Sequence, residues 1–422
     1  MNTRVRPLRV CVCTTYPADG EPRAPSHAAA LAAALGKDVE VTFIDAAPIG
    51  KPARRLKVLD GLPNLTWQTH YYPYRHSSVA RVVINRIRKR LAQALFRCFG
   101  VLTPIAFSDK VTGFAQRLDS LRADVYFTHT IEGLLPAAQV AKRRGALLMF
   151  DSMEFHSDMD NSQSELERAM VRAVETKWLS HCALVTASSD QVADELARIY
   201  RIRRPRPRYN VPTLEPKLPP KDASKFTLYW RNAVIGLGQR GLEDALVALN
   251  ELPAEIVLHL QGHLPKDGGA ILRARIAELG VTNRVFFHPP YAPEDAVKEA
   301  AQHTIGLCLE RKGFRNHDLT VSNKMFDYHM AGLAVVSSNL ESLRAVIERS
   351  GGGLLYDSGS AGDLARQVMT LYRDRVLLDR LAGNARSFAL REGNLGHEMK
   401  RFVEAFHVGC LQDDRIKPST YV

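Results

Sequence analysis

The sequence contains no uninterrupted apolar run near the length of about 20 residues that a membrane-spanning helix requires. Its first residues also differ from a secretory signal peptide, because Thr14, Thr15 and Tyr16 end the short apolar run that begins at Val10. We therefore interpret the N-terminal segment as the first strand of a folded domain and expect a cytoplasmic protein.

The cysteine and histidine patterns that are typical of disulfide frameworks and metal centres are also missing. The six cysteines are scattered, and the only close pair, Cys11 and Cys13, would lie on one face of a strand. No cysteine–histidine set has the spacing of a zinc site. No Asp-x-Asp pair stands at the end of a predicted strand. We expect reduced cysteines and no catalytic metal ion.

Acidic residues are absent between positions 61 and 108, whereas the chain as a whole carries a net charge of +12. On a helical wheel of residues 79–99, apolar and basic side chains occupy opposite arcs. The two sets are Val83, Ile84, Ile87, Leu91 and Leu95, and Arg86, Lys89, Arg90 and Arg97. Such a helix can lie on an anionic membrane surface. The alternative is a helix packed on the core with a solvated basic face. Nucleic acid is not an expected partner, because aromatic residues do not interleave with the basic ones.

Strand-like and helix-like segments alternate along most of the 422 residues, which predicts an α/β protein with parallel sheets. The alternation breaks at residues 201–220, where five arginines and six prolines occur. Because proline at that density suits neither helix nor central strand, we interpret this segment as an interdomain connection. The predicted organisation is an N-terminal domain over 1–210, a C-terminal domain over 211–394, and a crossover helix and tail over 395–422.

The stretch from Ser322 to Val336 is the most informative part of the chain. It predicts a short helix that carries Lys324 and Asp327, a stop at Gly332, and a buried strand. An acid in such a position can bind ribose hydroxyls, and a lysine one turn back can meet a phosphate. The alternative is an ordinary helix–strand joint with a solvated lysine and aspartate.

Several motifs resemble those of glycosyltransferase family 4. Asn323 to Tyr328 with Ala331 to Val336 resembles the family's donor motif, and Gln239 to Glu243 resembles its basic-glycine phosphate turn. Asn210-Val211-Pro212 is similar to the usual end of the N-terminal half. Phe150 to Glu154 resembles the family's Tyr-Asp-x-His-Glu, and His129 stands where the family has a histidine.

The resemblance implies a retaining enzyme of the GT-B fold. That fold has two Rossmann-like, doubly wound domains facing a cleft, and its C-terminal helix packs back on the N-terminal domain. The sequence departs from the family pattern at three positions. Asp327 replaces a glutamate, Leu319 replaces a second acid, and Arg231 replaces a glycine in an expanded loop from Trp230 to Gly238.

The resemblance also implies roles for individual residues. The predicted catalytic residues are His129, Glu154, Arg240 and Lys324. The predicted donor-binding residues are Arg231, Arg240, Gly241, Gly262, His263, Asn323, Lys324 and Asp327, and Arg23 is predicted to border the acceptor site. Each role has a plainer alternative. Arg240 could be a surface arginine, Glu154 could cap the following helix, and Gly262 with His263 could form a structural loop.

The predicted function is transfer of a sugar, with retention, from a nucleotide-sugar donor to a hydroxyl acceptor. The basic amphipathic helix favours a membrane-bound glycan or lipid-linked oligosaccharide of bacterial polysaccharide biosynthesis as acceptor. It also favours a peripheral position on the inner face of the cytoplasmic membrane. Two alternatives remain open: a non-catalytic scaffold that binds nucleotides or glycans, which the leucine at position 319 favours, and a nucleotide-sugar epimerase.

Overall fold

The computed structural model describes residues 6–51, 54, 56–72, 79–160, 162–222, 224–238 and 240–411, with no side-chain description for 79–81. The chain forms two compact units. We call the residues up to Arg208 together with those from Met399 onward the N-terminal domain, and Tyr209–Glu398 the C-terminal domain.

The N-terminal domain is built on a parallel sheet that has seven strands within the described residues. The strands are β1 Leu8–Cys13, β2 Val39–Pro48, β3 Leu65–Tyr72, β4 Val125–Thr128, β5 Leu147–Ser152, β6 Cys182–Ala187 and β7 Arg206–Pro207. Their order across the sheet is β3-β2-β1-β4-β5-β6-β7. The helices of this domain are α1 Arg23–Leu35, α2 Val79–Phe99, α3 Phe114–Ser120, α4 Ile131–Arg144, α5 Glu165–Trp178 and α6 Asp190–Tyr200.

Local sequence signals explain where these helices begin and end. The Ser164 hydroxyl and the Glu167 carboxylate form a reciprocal capping box at the start of α5. The Ser189 hydroxyl accepts a hydrogen bond from the Val192 amide and so caps α6. Gly145 ends α4 in a left-handed conformation that glycine adopts without steric cost.

The C-terminal domain has its own parallel sheet, with six strands in the described part of the chain. The strands are β8 Phe226–Val234, β9 Ile256–His263, β10 Val285–His288, β11 Ile305–Cys308, β12 Ala334–Ser338 and β13 Gly353–Tyr356, in the order β10-β9-β8-β11-β12-β13. The helices are α7 Leu242–Ala248, α8 Lys266–Glu278, α9 Ala296–Ala300, α10 Arg315–Leu319, α11 Asn323–Met330, α12 Glu341–Ser350, α13 Ala361–Arg373 and α14 Arg375–Arg391. The predicted α/β class is confirmed, because both sheets are parallel and helices lie between most successive strands.

The last helix, α15, spans Leu395–Leu411. From Met399 onward its residues belong to the N-terminal domain, where Phe402 and Phe406 enter the hydrophobic core. The Phe402 ring stacks on the imidazole of His27 with 4.0 Å between ring centroids. The C-terminal helix therefore completes the core of the N-terminal domain, as the family resemblance implied.

Some elements differ from the sequence-based expectation. Strand β8 continues to Val234, so the loop that was expected from Trp230 to Gly238 begins only at Ile235. Strand β9 includes Gly262 and His263. The arginine- and proline-rich segment contains the two-residue strand β7, which pairs with the end of β6. Proline fits there because β7 is at the sheet edge, where the missing amide donor costs no ladder bond.

Helix α2 lies against the N-terminal domain through a narrow contact. Ala92 is buried and Phe96 is partly buried, and both pack near Ala106 and Met170. The apolar arc identified in the sequence is exposed, with exposed fractions of 46% for Val83, 53% for Ile87 and 60% for Leu91. The alternative in which this arc packs on the core is therefore wrong. Among the described residues, no helix has the length and apolarity to cross a bilayer.

Candidate active site

The strand order of the C-terminal domain places a switch point between β8 and β11, which are neighbours in the sheet although far apart in sequence. Chain connections leave in opposite directions from these two strands, and open α/β sheets bind ligands outside the carboxyl ends of such strands. Arg231 lies on β8, and Glu310 follows β11 by two residues. The side chains around Arg231 and Glu310 are therefore the first candidates for a ligand-binding site.

Helix α11 adds two ionisable side chains at this point. Its apolar residues Met325, Phe326 and Met330 are buried in the domain core, which anchors the helix against the sheet. Lys324 and Asp327, three residues apart, lie on one face and are also buried, with 5% and 7% exposure. The helix has the predicted bounds, and Asn323 at its first position is exposed.

Asp327 forms an ion pair with Arg231. The Arg231 guanidinium also lies over the ring of Tyr291 at 5.9 Å from its centroid, and the backbone amide of Arg231 donates to the Tyr328 hydroxyl at 3.2 Å. The β8–β9 register shifts between Arg231 and Val234. The acid that was predicted to bind ribose is therefore neutralised here by an arginine that the sequence analysis had also assigned to donor binding.

Lys324 has a different acidic partner, Glu310, which the sequence analysis did not identify. The Lys324 Nζ lies 2.8 Å from Glu310 Oε1, and both side chains are 5% exposed. Arg240 Nη1 lies 3.7 Å from the same oxygen. Burial alone would raise the pKa of the Glu310 carboxyl, but the charges of Lys324 and Arg240 outweigh it and hold that pKa at about 2. Glu310 is therefore ionised at neutral pH and holds the two cations together.

Two glycines have structural reasons to be at this site. Gly241 has a φ of +65°, and a Cβ there would overlap the carbonyl oxygen of Leu309. It lets the chain after Arg240 pass close to the end of β11. At Gly262 a Cβ would overlap the carbonyl oxygen of Asn232, so the backbones of β8 and β9 approach closely there.

The structure brings some of the predicted donor residues together and leaves others apart. Arg231 joins Asp327, and Arg240 joins Lys324 through Glu310. Gly262 and the exposed His263 lie at the end of β9, and the His263 carbonyl accepts the Ile235 amide at 2.8 Å. Leu319, which stands where the family has a second acid, is fully buried at the end of α10.

In the N-terminal domain, a buried ion pair joins Arg23 to Asp151. Arg23 Nε and Nη2 donate to Asp151 Oδ2 and Oδ1 at 2.7 and 2.6 Å, and Arg23 Nη1 donates to the carbonyl oxygen of Arg208 at 2.7 Å. The Thr186 hydroxyl donates to Asp151 at 2.5 Å. Burial opposes ionisation of Asp151, but Arg23 holds the pKa of its carboxyl well below the usual range. Arg23 itself is 4% exposed. Its role at an acceptor site stays a prediction.

His129 lies beside this pair, one residue after β4. Its Nε2 is 2.7 Å from Nδ1 of His27, its backbone amide donates to the Cys13 carbonyl, and it is fully buried. Burial lowers the pKa of His129 to about 4 and that of His27 well below its usual value. Both rings are therefore neutral at pH 7, and one donates a hydrogen bond to the other. The catalytic role predicted for His129 stays a prediction.

His27, His129 and Asp151 also form a possible metal-ligand set, since their donor atoms lie within 4.8 Å of one another. The present contacts compete with such a role. The two imidazoles use facing nitrogens for their mutual hydrogen bond, and both oxygens of Asp151 accept bonds from Arg23. A divalent cation would have to displace the guanidinium, which makes the set a poor fit for a metal ion.

Glu154 occupies a separate, half-buried position after β5. The negative charge of Glu132, partial burial, and the charges of Glu154 and Glu21 raise the pKa of Tyr16 to about 12. Glu154 is therefore one of three carboxylates whose charges act on Tyr16. The alternative in which Glu154 caps the following long helix is wrong, because Ser164 caps α5.

The buried neutral histidines predict a loss of stability in mild acid. Burial lowers the pKa of His129 and His156 to about 4 and that of His329 to about 3, whereas the unfolded chain binds these protons near pH 6.5. Unfolding therefore takes up protons, and each group costs up to about 2 kcal/mol between pH 6.5 and pH 5. Glu21 and Glu175, whose pKa values burial raises to about 7, oppose the trend but are fewer.

Urea unfolding at pH 7.5 and pH 5.0 measures this effect, and we expect a lower midpoint at pH 5.0. The variant His329→Leu removes one titrating ring that has no hydrogen-bond partner in the described structure. It should reduce the difference between the two midpoints. An equal pH difference in the variant and the natural protein would contradict the assignment of His329 as a buried neutral group.

Comparison with known proteins identifies the fold. No protein-family model matches the chain, and no curated relative matches it in sequence. Solved structures do match. Sucrose-phosphate synthase from Thermosynechococcus elongatus superposes with a TM-score of 0.71 at 14% identity, over 95% of this chain and 98% of that one. HepE from Anabaena, solved in complex with UDP, superposes with a TM-score of 0.68 at 14% identity, over 95% and 100%.

A third similar structure is WaaG, described as a glycosyltransferase involved in lipopolysaccharide biosynthesis. It has a TM-score of 0.61 at 14% identity, over 95% of this chain and 99% of that one. At such low identity the likeness concerns the fold alone. This chain consists of two parallel-sheet α/β domains of the GT-B type that these solved structures share.

Proposed function

We propose that this protein is a retaining glycosyltransferase that moves a sugar from a nucleotide-sugar donor to a hydroxyl acceptor. One observation carries the proposal. Three cationic side chains, Arg231, Arg240 and Lys324, lie around the carboxyl ends of β8 and β11, where an α/β sheet binds its ligand. The shared fold supports it, since HepE has been solved with UDP-glucose.

The chemistry of the donor explains the need for these cations. As the bond between the sugar and the diphosphate breaks, negative charge grows on the phosphate oxygens, and pre-positioned cations stabilise it. Arg240 is 37% exposed and can present a forked donor to a phosphate. Lys324 lies close to Arg240, because both side chains form ion pairs with Glu310 Oε1. Gly241 lets the chain after Arg240 pass close to Leu309, which keeps Arg240 beside the end of β11.

The proposed reaction follows the scheme implied by the family resemblance. The acceptor oxygen attacks the anomeric carbon on the face from which the diphosphate departs, which retains the configuration. The carbon–oxygen bond to the acceptor forms, the bond to the phosphate breaks, and the departing phosphate takes the acceptor proton. Arg240 and Lys324 stabilise the leaving group, so we propose that no catalytic metal ion is required.

Asp327 is proposed to bind the ribose hydroxyls together with Arg231. In the structure the two side chains neutralise each other, so a ribose diol would share the carboxylate with the guanidinium. Asn323, Gly262 and His263 are proposed to border the nucleotide. In the N-terminal domain, Glu154 is proposed to contact the donor sugar or acceptor, with His129 and Arg23 next to that position.

Nucleotide binding tests the proposal directly. We expect UDP, GDP or ADP, alone or as a sugar conjugate, to raise the thermal unfolding midpoint, because a ligand at about 100 times its dissociation constant adds about 2.7 kcal/mol. The shift should vanish in Arg240→Ala and persist in Arg344→Ala, which removes an arginine paired with Asn339 elsewhere in the same domain.

The outcomes separate the candidate functions. A shift with one base that Arg240→Ala abolishes supports the donor site. Conversion of a nucleotide sugar without any acceptor would identify an epimerase. Absence of any shift would favour a non-catalytic scaffold, a candidate that the buried leucine at position 319 supports.

We also propose that α2 places the protein on an anionic membrane, at the inner face of the cytoplasmic membrane, where a glycan or lipid-linked acceptor of polysaccharide biosynthesis would be found. The support is the exposed apolar arc of Val83, Ile84, Ile87, Leu91 and Leu95, flanked by exposed Arg86 and Arg90. An interfacial helix buries such an arc among acyl chains while its basic flank meets lipid phosphates.

Vesicle sedimentation measures this association. The variant Lys89→Glu/Arg90→Glu should lose most of its binding to vesicles that contain phosphatidylglycerol, because two attractions become repulsions. The control Arg373→Glu/Arg380→Glu carries the same charge change on exposed positions at the end of α13 and in α14. It should bind like the natural protein. Unchanged binding of the α2 variant would refute the proposal.

A further inference from the structure

The arginine-rich segment at residues 201–208 is an ordered part of the N-terminal domain and not a solvated linker. Arg201 ends α6 with a φ of +51°, a left-handed conformation that is uncommon for arginine. Arg206 pairs with Thr186 in the sheet, and the Arg208 amide donates to the Ala187 carbonyl at 2.7 Å. Pro205, directly before Arg206, is buried. The sheet edge therefore holds this run of arginines in a defined position.

Two adjoining cavities flank the segment, with volumes of about 280 and 270 Å³. Both are lined by Arg206 and by Ala405 and Val408 of α15, so they form one groove between the edge strand β7 and the C-terminal helix. We call this the β7–α15 groove. Apolar side chains also line it, among them Leu184 and Val185 of β6.

The charge along the groove is strongly positive. Its lining includes six arginines, at positions 201, 203, 204, 206, 208 and 401, and Glu404 is its only acid within the described residues. Arg204 is occupied by Asp190 and Asp194. Arg201 and Arg206, by contrast, are exposed and have no ion-pair partner in the part of the chain that the structure describes. Two guanidinium groups are thus available at the groove.

We propose that the β7–α15 groove binds a phosphate group attached to an apolar moiety. Guanidinium groups bind phosphate through forked, charge-assisted hydrogen bonds, which lysine does not offer. Each cavity is near the lower end of ligand pockets, about 300–1,000 Å³, so it suits a headgroup or a diphosphate and not a large ligand. The apolar lining residues Leu184, Val185 and Val408 fit the part of the ligand next to the phosphate. The ligand is either a soluble phosphate compound or an anionic phospholipid.

This site is independent of the proposed donor site, because every residue of the groove belongs to the N-terminal domain whereas Arg240 and Lys324 belong to the C-terminal domain. The experiment therefore uses Arg240→Ala as its parent, which weakens phosphate binding at the proposed donor site. For vesicles, the parent also carries Lys89→Glu/Arg90→Glu, which weakens any contribution of α2.

Titration calorimetry with inorganic pyrophosphate at low salt is the first measurement. We expect the groove variant Arg201→Gln/Arg206→Gln to bind pyrophosphate at least tenfold more weakly than the parent, a difference of about 1.4 kcal/mol. The matched control Arg143→Gln/Arg198→Gln loses the same charge at exposed positions of α4 and α6 outside the groove lining. It should bind within about twofold of the parent.

A second variant, Val408→Trp, tests whether weaker binding arises from the groove itself and not from a loss of folding. It fills the groove and keeps every arginine. It should weaken pyrophosphate binding as well, with an unfolding midpoint close to that of the parent. Sedimentation with phosphatidylcholine vesicles, with and without phosphatidic acid, then identifies the source. Vesicle binding that depends on Arg201 and Arg206 indicates a phospholipid, and pyrophosphate binding without it indicates a soluble ligand. If neither probe binds, or if the groove variant and the control behave alike, the proposal is wrong.

Discussion

Replacing Lys324 by methionine is expected to destabilise the protein by about 3–5 kcal/mol and to reduce sugar transfer by about 10²–10³-fold. The stability loss has a specific cause. Glu310 is 4% exposed and ionised, and the variant leaves its carboxylate buried without its closest cation, 2.8 Å away. The expected loss of transfer rests on the proposed function, in which Lys324 is one of two cations that stabilise the departing diphosphate.

The double variant Lys324→Met/Glu310→Gln separates the two effects. It removes the uncompensated charge, so most of the stability should return, whereas transfer should stay low. The stability loss of the single variant should also be smaller at pH 5 than at pH 8, because Glu310 can then take up a proton. The control Lys298→Met breaks an exposed ion pair with Glu215 and should cost no more than about 1 kcal/mol.

Urea unfolding and a transfer assay with the nucleotide sugar identified by thermal shift provide the two measurements. A single variant as stable as the natural protein would show that the Glu310–Lys324 pair contributes nothing to the fold. Full transfer activity in the double variant would show that Lys324 does not act on the donor.

The second large effect is expected from Arg23→Met, with a destabilisation of about 3–5 kcal/mol. Asp151 is fully buried, and it accepts two hydrogen bonds from Arg23. Arg23 Nη1 donates a further hydrogen bond to the carbonyl oxygen of Arg208. Removing the guanidinium leaves a buried carboxylate with the Thr186 hydroxyl as its remaining side-chain partner among those described. The Arg23 side chain thus connects the start of α1 to Asp151 on β5 and to Arg208, directly after the edge strand β7.

Two further variants examine the cause. Arg23→Lys keeps the charge but cannot form the fork, so we expect an intermediate loss. Arg23→Met/Asp151→Asn removes both charges and should regain part of the stability. Arg198→Met, which breaks the exposed pair with Glu195, is the control and should stay within about 1 kcal/mol of the natural protein. A loss for Arg23→Met no larger than for this control would contradict a structural role of the buried pair.

The accuracy of the sequence-based prediction depended on how local the signal was. Helix α11 has the predicted bounds, because its apolar residues, its exposed first position and Gly332 all lie within one short stretch. Strand β3 was missed, since most of its side chains are only partly buried and its apolar alternation is weak. Strand β7 was missed because proline usually argues against a strand, and only its edge position in the sheet makes it possible.

The candidate donor site shows the same division. Lys324 and Asp327 could be found because three residues separate them on one helix. Their partners could not. Glu310 is 14 residues from Lys324, and Arg231 is 96 residues from Asp327. A lone glutamate directly after the apolar run of β11 was the only sequence signal for Glu310, and such a residue is common at the ends of strands.

By itself, the sequence determined the α/β class, the alternation of helices and strands in both domains, and the apolar arc of α2. Hydrophobic periodicity acts between near neighbours, so the order of residues is enough to reveal it. Only the tertiary structure decided which charged side chains meet, namely Arg23 with Asp151 and Glu310 with Lys324. It also decided that the arginines of the β7–α15 groove lie next to α15. Ion pairs and cavities form between segments that the sheet brings together, and their energy depends on burial, which the linear sequence does not encode locally.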